Sequence, residues 1–232
     1  LATGGGLENS SLPNYTITFT VNNPDNSPIS EARITIGGRT VSTDTSGKAS
    51  VRLPQSSYFY SVNKDGYNFY TGNINLTGDT PVTVTLSPKT YTVTIFVMDA
   101  NTGNPISGAT VSGIGNGGTT DPNGKLPLTN VTAQSCTVQV SAVGYKNSSK
   151  AITVNNNQQV NIPLSRASCT ITFDITNGAG ALVQLSDGST VNLNSSGGWS
   201  VSKPCGEYDY TISKDGYSAL SGGIDALSNV TI

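Results

Sequence analysis

The sequence has no histidine, one methionine, one tryptophan and three cysteines. Without histidine, Ser-His-Asp and Cys-His nucleophilic arrangements are excluded. So are zinc sites built on imidazole, and the three scattered cysteines lack the paired spacing of a thiolate zinc site. Charge is scarce as well: 11% of residues are charged, against about 25% in an average soluble domain. Solubility therefore rests on Ser, Thr, Asn and Gly. Nothing supplies the basic patch that binding to nucleic acid requires. No run of 18 apolar residues exists, so a membrane-spanning helix is not expected. No window holds helical periodicity over a useful length. The opening LATGGGLENSSLPN lacks the charged and apolar regions of a signal peptide, and the chain is expected to be mature or excised from something longer. Seven Asn-x-Ser/Thr sequons occur, at Asn9, Asn14, Asn75, Asn130, Asn147, Asn194 and Asn229. In a chain this rich in Asn, Ser and Thr they are compatible with glycosylation without pointing to it.

What is present is a repeat. Gly-Tyr pairs stand at 66–67, 144–145 and 216–217, and aligning on them brings the rest into register. Each copy opens on an alternating strand: YTITFTV at 15–21, YTVTIFV at 91–97 and CTITFDI at 169–175. The inward sets are Tyr15, Ile17, Phe19, Val21; Tyr91, Val93, Ile95, Val97; and Cys169, Ile171, Phe173, Ile175. Period two with Thr outside is the pattern of a half-buried strand. A second strand follows (Ala32, Ile34, Ile36; Ala109, Val111; Ala181, Val183, Leu185). Then come a Gly turn, the strand leading to Gly-Tyr, and a closing alternating strand. Short strands at intervals of about 8–12 residues with turn signals between them predict sandwiches of about seven strands.

The phrases DANTGNPISGATV, TDPNGK and YDYTISKDGY resemble the carboxypeptidase regulatory-like domain, a prealbumin-like sandwich related to the CnaB-type repeats of bacterial surface proteins. The resemblance covers residues 15–232. It implies an all-β chain of three tandem seven-stranded Ig-like (prealbumin-like) β-sandwiches. Residues 1–14 form an N-terminal extension, and the modules occupy 15–88, 89–166 and 167–232. The linkers, 87–90 and 165–168, are short enough to restrict motion between neighbours. Modules of about 30 Å each are therefore expected to form an elongated rod. CnaB modules often carry a Lys–Asn isopeptide bond with the Lys on the first strand. Here the first strands contain no Lys, so that bond is not carried over. The third repeat also lacks the Pro-Ile that precedes the second strand in the other two.

The candidate chemistry is thin. Asp25, Asp44, Asp65, Asp121, Asp187 and Asp215 occupy predicted turns, where Asp bonds its own backbone, so paired catalytic carboxylates are not expected. Asp99-Ala-Asn101-Thr-Gly103-Asn104 resembles half of a calcium loop but lacks the distal Glu. An ordinary Asx turn is the favoured reading, and no metal or cofactor is assigned. Cys136 aligns with inward Tyr58 and Tyr208 and is expected to be a buried free thiol. Cys169 begins the first strand of the third repeat and Cys205 precedes its fifth. If successive strands alternate in direction, these two meet in a disulfide, which implies an oxidising, extracellular setting. Trp199 aligns with Ala49 and Leu126 and is expected in the core. Phe59 aligns with Thr137 and Asp209, and with Phe69 and Tyr70 it forms a candidate contact patch. Gly66, Gly144 and Gly216 are expected at turns of positive φ, with Tyr67, Tyr145 and Tyr217 plugging the end of each sandwich.

These readings imply a non-catalytic module of the cell surface: stalk, spacer, or repeating subunit of a fibre, appendage or adhesin. Its partners would be further copies of itself, in a homopolymer, or neighbouring surface proteins. The polar N-terminal extension would lie against the first module or pair with a neighbouring subunit's sheet edge. A glycan-binding module and a phage fibre or decoration domain are the alternatives, with an enzyme last.

Overall fold

A computed structural model describes residues 12–232. The segment expected to act as an N-terminal extension falls almost wholly outside the described residues, as does Asn9. Two compact units divide the chain close to Tyr91.

The first unit holds module 1, with strands β1 (Asn14–Asn22), β2 (Arg33–Ile36), β3 (Arg39–Ser42), β4 (Lys48–Pro54), β5 (Ser56–Asn63), β6 (Tyr70–Leu76) and β7 (Thr80–Thr85). They form a three-stranded sheet β4-β1-β7 facing a four-stranded sheet β3-β2-β5-β6. β1 pairs antiparallel with β4 and parallel with β7, whose Val82 and Val84 lie opposite Phe19 and Val21. The period-two pattern does its work here: Ile17, Phe19 and Val21 are fully buried while Thr16, Thr18 and Thr20 face away. Each such apolar side chain removed from water stabilises the module by about 1.5–3 kcal/mol. Phe19 meets Tyr60 edge to face, with ring centroids 5.2 Å apart. The Tyr60 ring lies over Gly72, its cross-strand partner, where a Cβ would stand 2.5 Å from the phenol oxygen.

The second unit holds the other two modules. Module 2 comprises β8 (Thr90–Asp99), β9 (Thr110–Ser112), β10 (Gly118–Thr119), β11 (Lys125–Thr132), β12 (Gln134–Ser141), β13 (Ser148–Val154) and β14 (Gln158–Leu164). Module 3 comprises β15 (Ser168–Asp174), β16 (Leu182–Leu185), β17 (Thr190–Asn192), β18 (Gly198–Pro204), β19 (Gly206–Ser213), β20 (Leu220–Ala226) and β21 (Val230–Thr231). Both repeat the three-plus-four strand order of module 1. The chain is thus three tandem seven-stranded prealbumin-like sandwiches. Module 3 also repeats the aromatic arrangement, Phe173 meeting Tyr210 edge to face at 5.5 Å with Gly222 under the Tyr210 ring. Trp199 is partly buried and stacks on Phe173.

Turn acids and amides close the hairpins before β4, β11 and β18. Asp44 Oδ1 accepts the amides of Ser46 and Lys48, Asp121 those of Asn123 and Lys125, and Asn194 those of Ser196 and Gly198. Such Asx turns consume the lone pairs that acid–base chemistry would use. The missing Pro-Ile of module 3 has a structural counterpart. In modules 1 and 2 a buried threonine, Thr43 or Thr120, donates to the carbonyl of Ile29 or Ile106 and accepts the amide of Ala32 or Ala109. Module 3 replaces loop and threonine together: the turn tightens around Asn177 at φ 60°, and Leu193 fills the place of the hydroxyl.

Candidate functional site

The densest polar constellation among the described residues lies where module 2 runs into module 3. β8 ends at Asp99, and the chain turns back at once because Asp99 Oδ1 accepts the amides of Asn101 (2.8 Å) and Thr102 (3.1 Å). This side chain is 2% exposed. Its other oxygen, Oδ2, accepts the Tyr145 hydroxyl at 3.0 Å and Arg166 Nε at 2.8 Å. Arg166 is the central residue of the second linker. Its guanidinium also lies 5.8 Å from the Tyr145 ring centroid and donates through Nη1 to the Cys205 carbonyl at 2.9 Å. Cys205 belongs to module 3, so one side chain fastens the end of module 2 to the start of β19. Gly206 leaves the space for it, since a Cβ there would collide with Arg166 Nη1.

Burial alone would raise the Asp99 pKa. The amides of Asn101 and Thr102, then Arg166 and Tyr145, stabilise the carboxylate more strongly and hold it at about 2. The hydrogen bond to Asp99 raises the Arg166 pKa, while burial and then the bond to Asp99 raise that of Tyr145. Backbone bonds run beside this pair. Lys146 N donates to Ser165 O and Ala167 N to Gly144 O, both at 2.9 Å, and Cys205 N donates to Ala167 O at 2.8 Å.

This geometry disposes of the calcium-loop resemblance. Both Asp99 oxygens already accept two donors each, and a guanidinium stands where a cation would bind. Among the described residues no group of three acidic, Cys or His side chains could hold a metal ion. The arrangement positions modules; it holds no nucleophile or base free to act on a substrate.

The other candidates fall as follows. Cys169 and Cys205 are joined in a disulfide, Cα–Cα 5.0 Å, which places the Arg166 anchor point on a cross-linked residue. Cys136 is free but half-buried rather than buried, because it sits on an exposed stretch of β12 beside Ser135 and Thr137. Its burial raises the thiol pKa. Phe59 and Phe69 are 70% and 64% exposed. Tyr70 leaves the expected patch: it is half-buried, packs against the core and lies 6.2 Å from the Tyr60 ring. Gly66, Gly144 and Gly216 have φ of 83°, 79° and 79°. Tyr67 and Tyr145 are half-buried at their corners, where they bridge Pro88 and Arg166. Tyr217 does not plug its sandwich. It is 65% exposed among the described residues.

The fold and this junction define an array of prealbumin-like modules. Residues 96–174 match the model of the CarboxypepD_reg-like domain family, so the middle module and the first strand of the third carry that family's sequence pattern. No curated protein matches the sequence. Among solved structures, the Bacillus anthracis TIE protein is similar at 16% identity and TM-score 0.56, over 94% of this chain and 49% of that one. The chain thus spans about half the length of that structure. Weaker likenesses reach the shaft pilin SpaA of Lactobacillus rhamnosus GG, with 13% identity, TM-score 0.31 and coverage of 67% and 98%. The minor pilin GBS52 of Streptococcus agalactiae gives 12% identity, TM-score 0.30 and coverage of 66% and 96%.

Proposed function

We propose that this chain is a non-catalytic structural module array of a cell surface, acting as stalk, spacer or repeating subunit of a fibre, appendage or adhesin. The observation that carries the reading is the second linker, where the most buried charge among the described residues is spent on fixing one module to the next. The disulfide between Cys169 and Cys205 fits an oxidising, extracellular setting. No helix among the described residues is long and apolar enough to cross a membrane. Partners on this reading are further copies of the chain or neighbouring surface proteins. Electron microscopy of native material, labelled with an antibody to this chain, tests it. Labelled surface filaments or stalks are the expected outcome, and label confined to dispersed intracellular protein would end the reading.

A second reading rests on Phe59, an exposed aromatic opposite Asn73 on a sheet face of Ser, Thr and Asn. An aromatic ring flanked by amides and hydroxyls suits a sugar ring. A glycan array with Phe59→Ala as control tests this, and equal binding by both proteins, or none, removes it.

A further inference from the structure

Asn-Gly or Asp-Gly bonds stand at 65–66, 116–117, 123–124, 177–178, 187–188 and 215–216. Glycine has no Cβ to shield its amide, so the amide nitrogen can attack the side-chain carbonyl carbon of the residue before it. That attack needs an amide not already engaged. Four of these glycines fail the condition. Gly117 N donates to Ile114 O (3.0 Å), Gly124 N to Asp121 O (2.9 Å), Gly178 N to Ile175 O (2.8 Å) and Gly188 N to Leu185 O (3.0 Å). All three Asn-Gly bonds are in this group. Asp187 is held a second time, because its carboxylate accepts Ser189 N, Ser189 Oγ and Lys203 Nζ.

The Lys-Asp-Gly-Tyr corner of module 1 turns differently. The amide one residue later closes it, Tyr67 N donating to Lys64 O at 3.1 Å. Among the described residues no backbone bond leaves the Gly66 amide. Asp65 is exposed, and its neighbour Lys64 is turned away to Glu31 Oε2 at 3.3 Å. The same corner holds the first linker. Lys89 N donates to Gly66 O (2.8 Å), Asn68 N donates to Ser87 O (2.9 Å), and Tyr67 bridges Pro88. Module 2 makes the equivalent bond from Ala167 N to Gly144 O, but Val143 stands there in place of the acid.

We propose that Asp65–Gly66 is a site of spontaneous isoaspartate formation, while the three Asn-Gly bonds are silenced by their turns. Gly66 N bonds to Asp65 Cγ; the amide proton and the carboxyl hydroxyl leave together as water, and a five-membered imide closes. Water then reopens the ring. Addition at the side-chain carbonyl restores Asp65. Addition at the main-chain carbonyl leaves the chain running through Cβ and Cγ, one carbon longer. No enzyme, cofactor or redox partner takes part. The extra carbon lies directly before Gly66, so it shifts the carbonyl that Lys89 N bonds. Ageing by this route loosens the first linker and spares the second, whose corner carries no carboxyl.

Prolonged incubation of the full chain at neutral pH and moderate heat, folded and in urea, tests the assignment by peptide mapping. Electron-transfer fragmentation separates isoaspartate from aspartate, and deamidation of Asn adds mass. In urea the Asn-Gly bonds should react first, because an ionised carboxylate is a poorer electrophile than an amide. Folding should reverse that order. Isoaspartate at residue 65 is expected to lead, with each Asn-Gly bond slowed more than about tenfold, the factor that about 1.4 kcal/mol of local opening supplies. Asp65→Asn should speed the reaction at that position, and Asp65→Glu should abolish it, since the larger ring closes far more slowly. The side chain is exposed, so both variants should keep the wild-type melting temperature. After ageing, the Lys89 amide should lose hydrogen-exchange protection in the wild type and keep it in Asp65→Glu. Deamidation at Asn116, Asn123 or Asn177 that outpaces residue 65 in the folded chain would overturn the assignment. So would isoaspartate at Asp187 equal to that at Asp65, or none at Asp65. Unchanged protection of Lys89 in the isomerised chain would overturn the effect on the linker.

Discussion

Asn23 and Asp99 occupy the same place in two modules of one fold, yet they do opposite things. Each follows the inward run of the first strand and accepts a turn amide through its backbone carbonyl, from Asn26 or Gly103. Asp99 has four donors, one of them the guanidinium of the second linker. Asn23 Oδ1 is buried with no hydrogen-bond partner, and the position of Arg166 is taken by Pro88, which has no side-chain donor. The sandwich therefore does not need the ion pair; module 1 folds the same way without it. What the pair adds belongs to the joint between modules 2 and 3. A buried pair of this kind contributes little net stability over an apolar substitute, but breaking one partner is costly. Its retention fits a role in fixing geometry.

The largest expected effect comes from the covalent part of that joint. Cys169→Ser with Cys205→Ser should destabilise module 3 by about 2–4 kcal/mol, read by urea unfolding. Intact-mass analysis with and without reductant checks the pairing directly, and two free thiols at those positions would remove it. Next, Asp99→Ala strands the Arg166 guanidinium and the Tyr145 hydroxyl. It should cost about 2–3 kcal/mol, while Asn23→Ala in module 1 should cost less than about 1 kcal/mol. Equal losses at the two positions would erase the comparison.

Acid should separate the modules in the same way. The Asp99 pKa is depressed to about 2 in the folded chain, against 3.8 for the free group. Its contribution is therefore complete above about pH 4 and is lost as pH falls toward 2. In Asp99→Asn that part of the acid destabilisation should vanish from thermal melts between those limits. The smallest effect expected is none: millimolar calcium should leave the melting temperature unchanged, and a rise would revive the loop as a metal site.

Most of the fold was legible in the sequence because its signals are local. Period two in YTITFTV, YTVTIFV and CTITFDI sets which side chains face inward, and glycines at fixed offsets set the turns. Cys169 and Cys205 could be paired on strand direction alone. The joint was not legible, since Asp99 and Arg166 are 67 residues apart and each has an ordinary local reading, one as a turn, the other as a linker charge. The usable signal was a difference between repeats: only the middle copy has an acid where the first has Asn23. Tyr217 differs from its repeat counterparts: Tyr67 and Tyr145 bridge Pro88 and Arg166, residues 21 positions further along, while Tyr217 is exposed among the described residues, a difference that local spacing does not encode. Tyr70 was placed in a surface patch by its neighbours in sequence, although alternation along β6 turns it inward.

A double-mutant cycle on Asp99→Ala and Arg166→Ala, measured by urea unfolding of modules 2 and 3 in the full chain, tests the account most directly. The account predicts a coupling of at least about 1.5 kcal/mol, the lower end for close charge pairs because Arg166 is a third exposed, with the two modules losing joint cooperativity in either single variant. Additive losses, with modules 2 and 3 unfolding as they do in the unsubstituted chain, would contradict it.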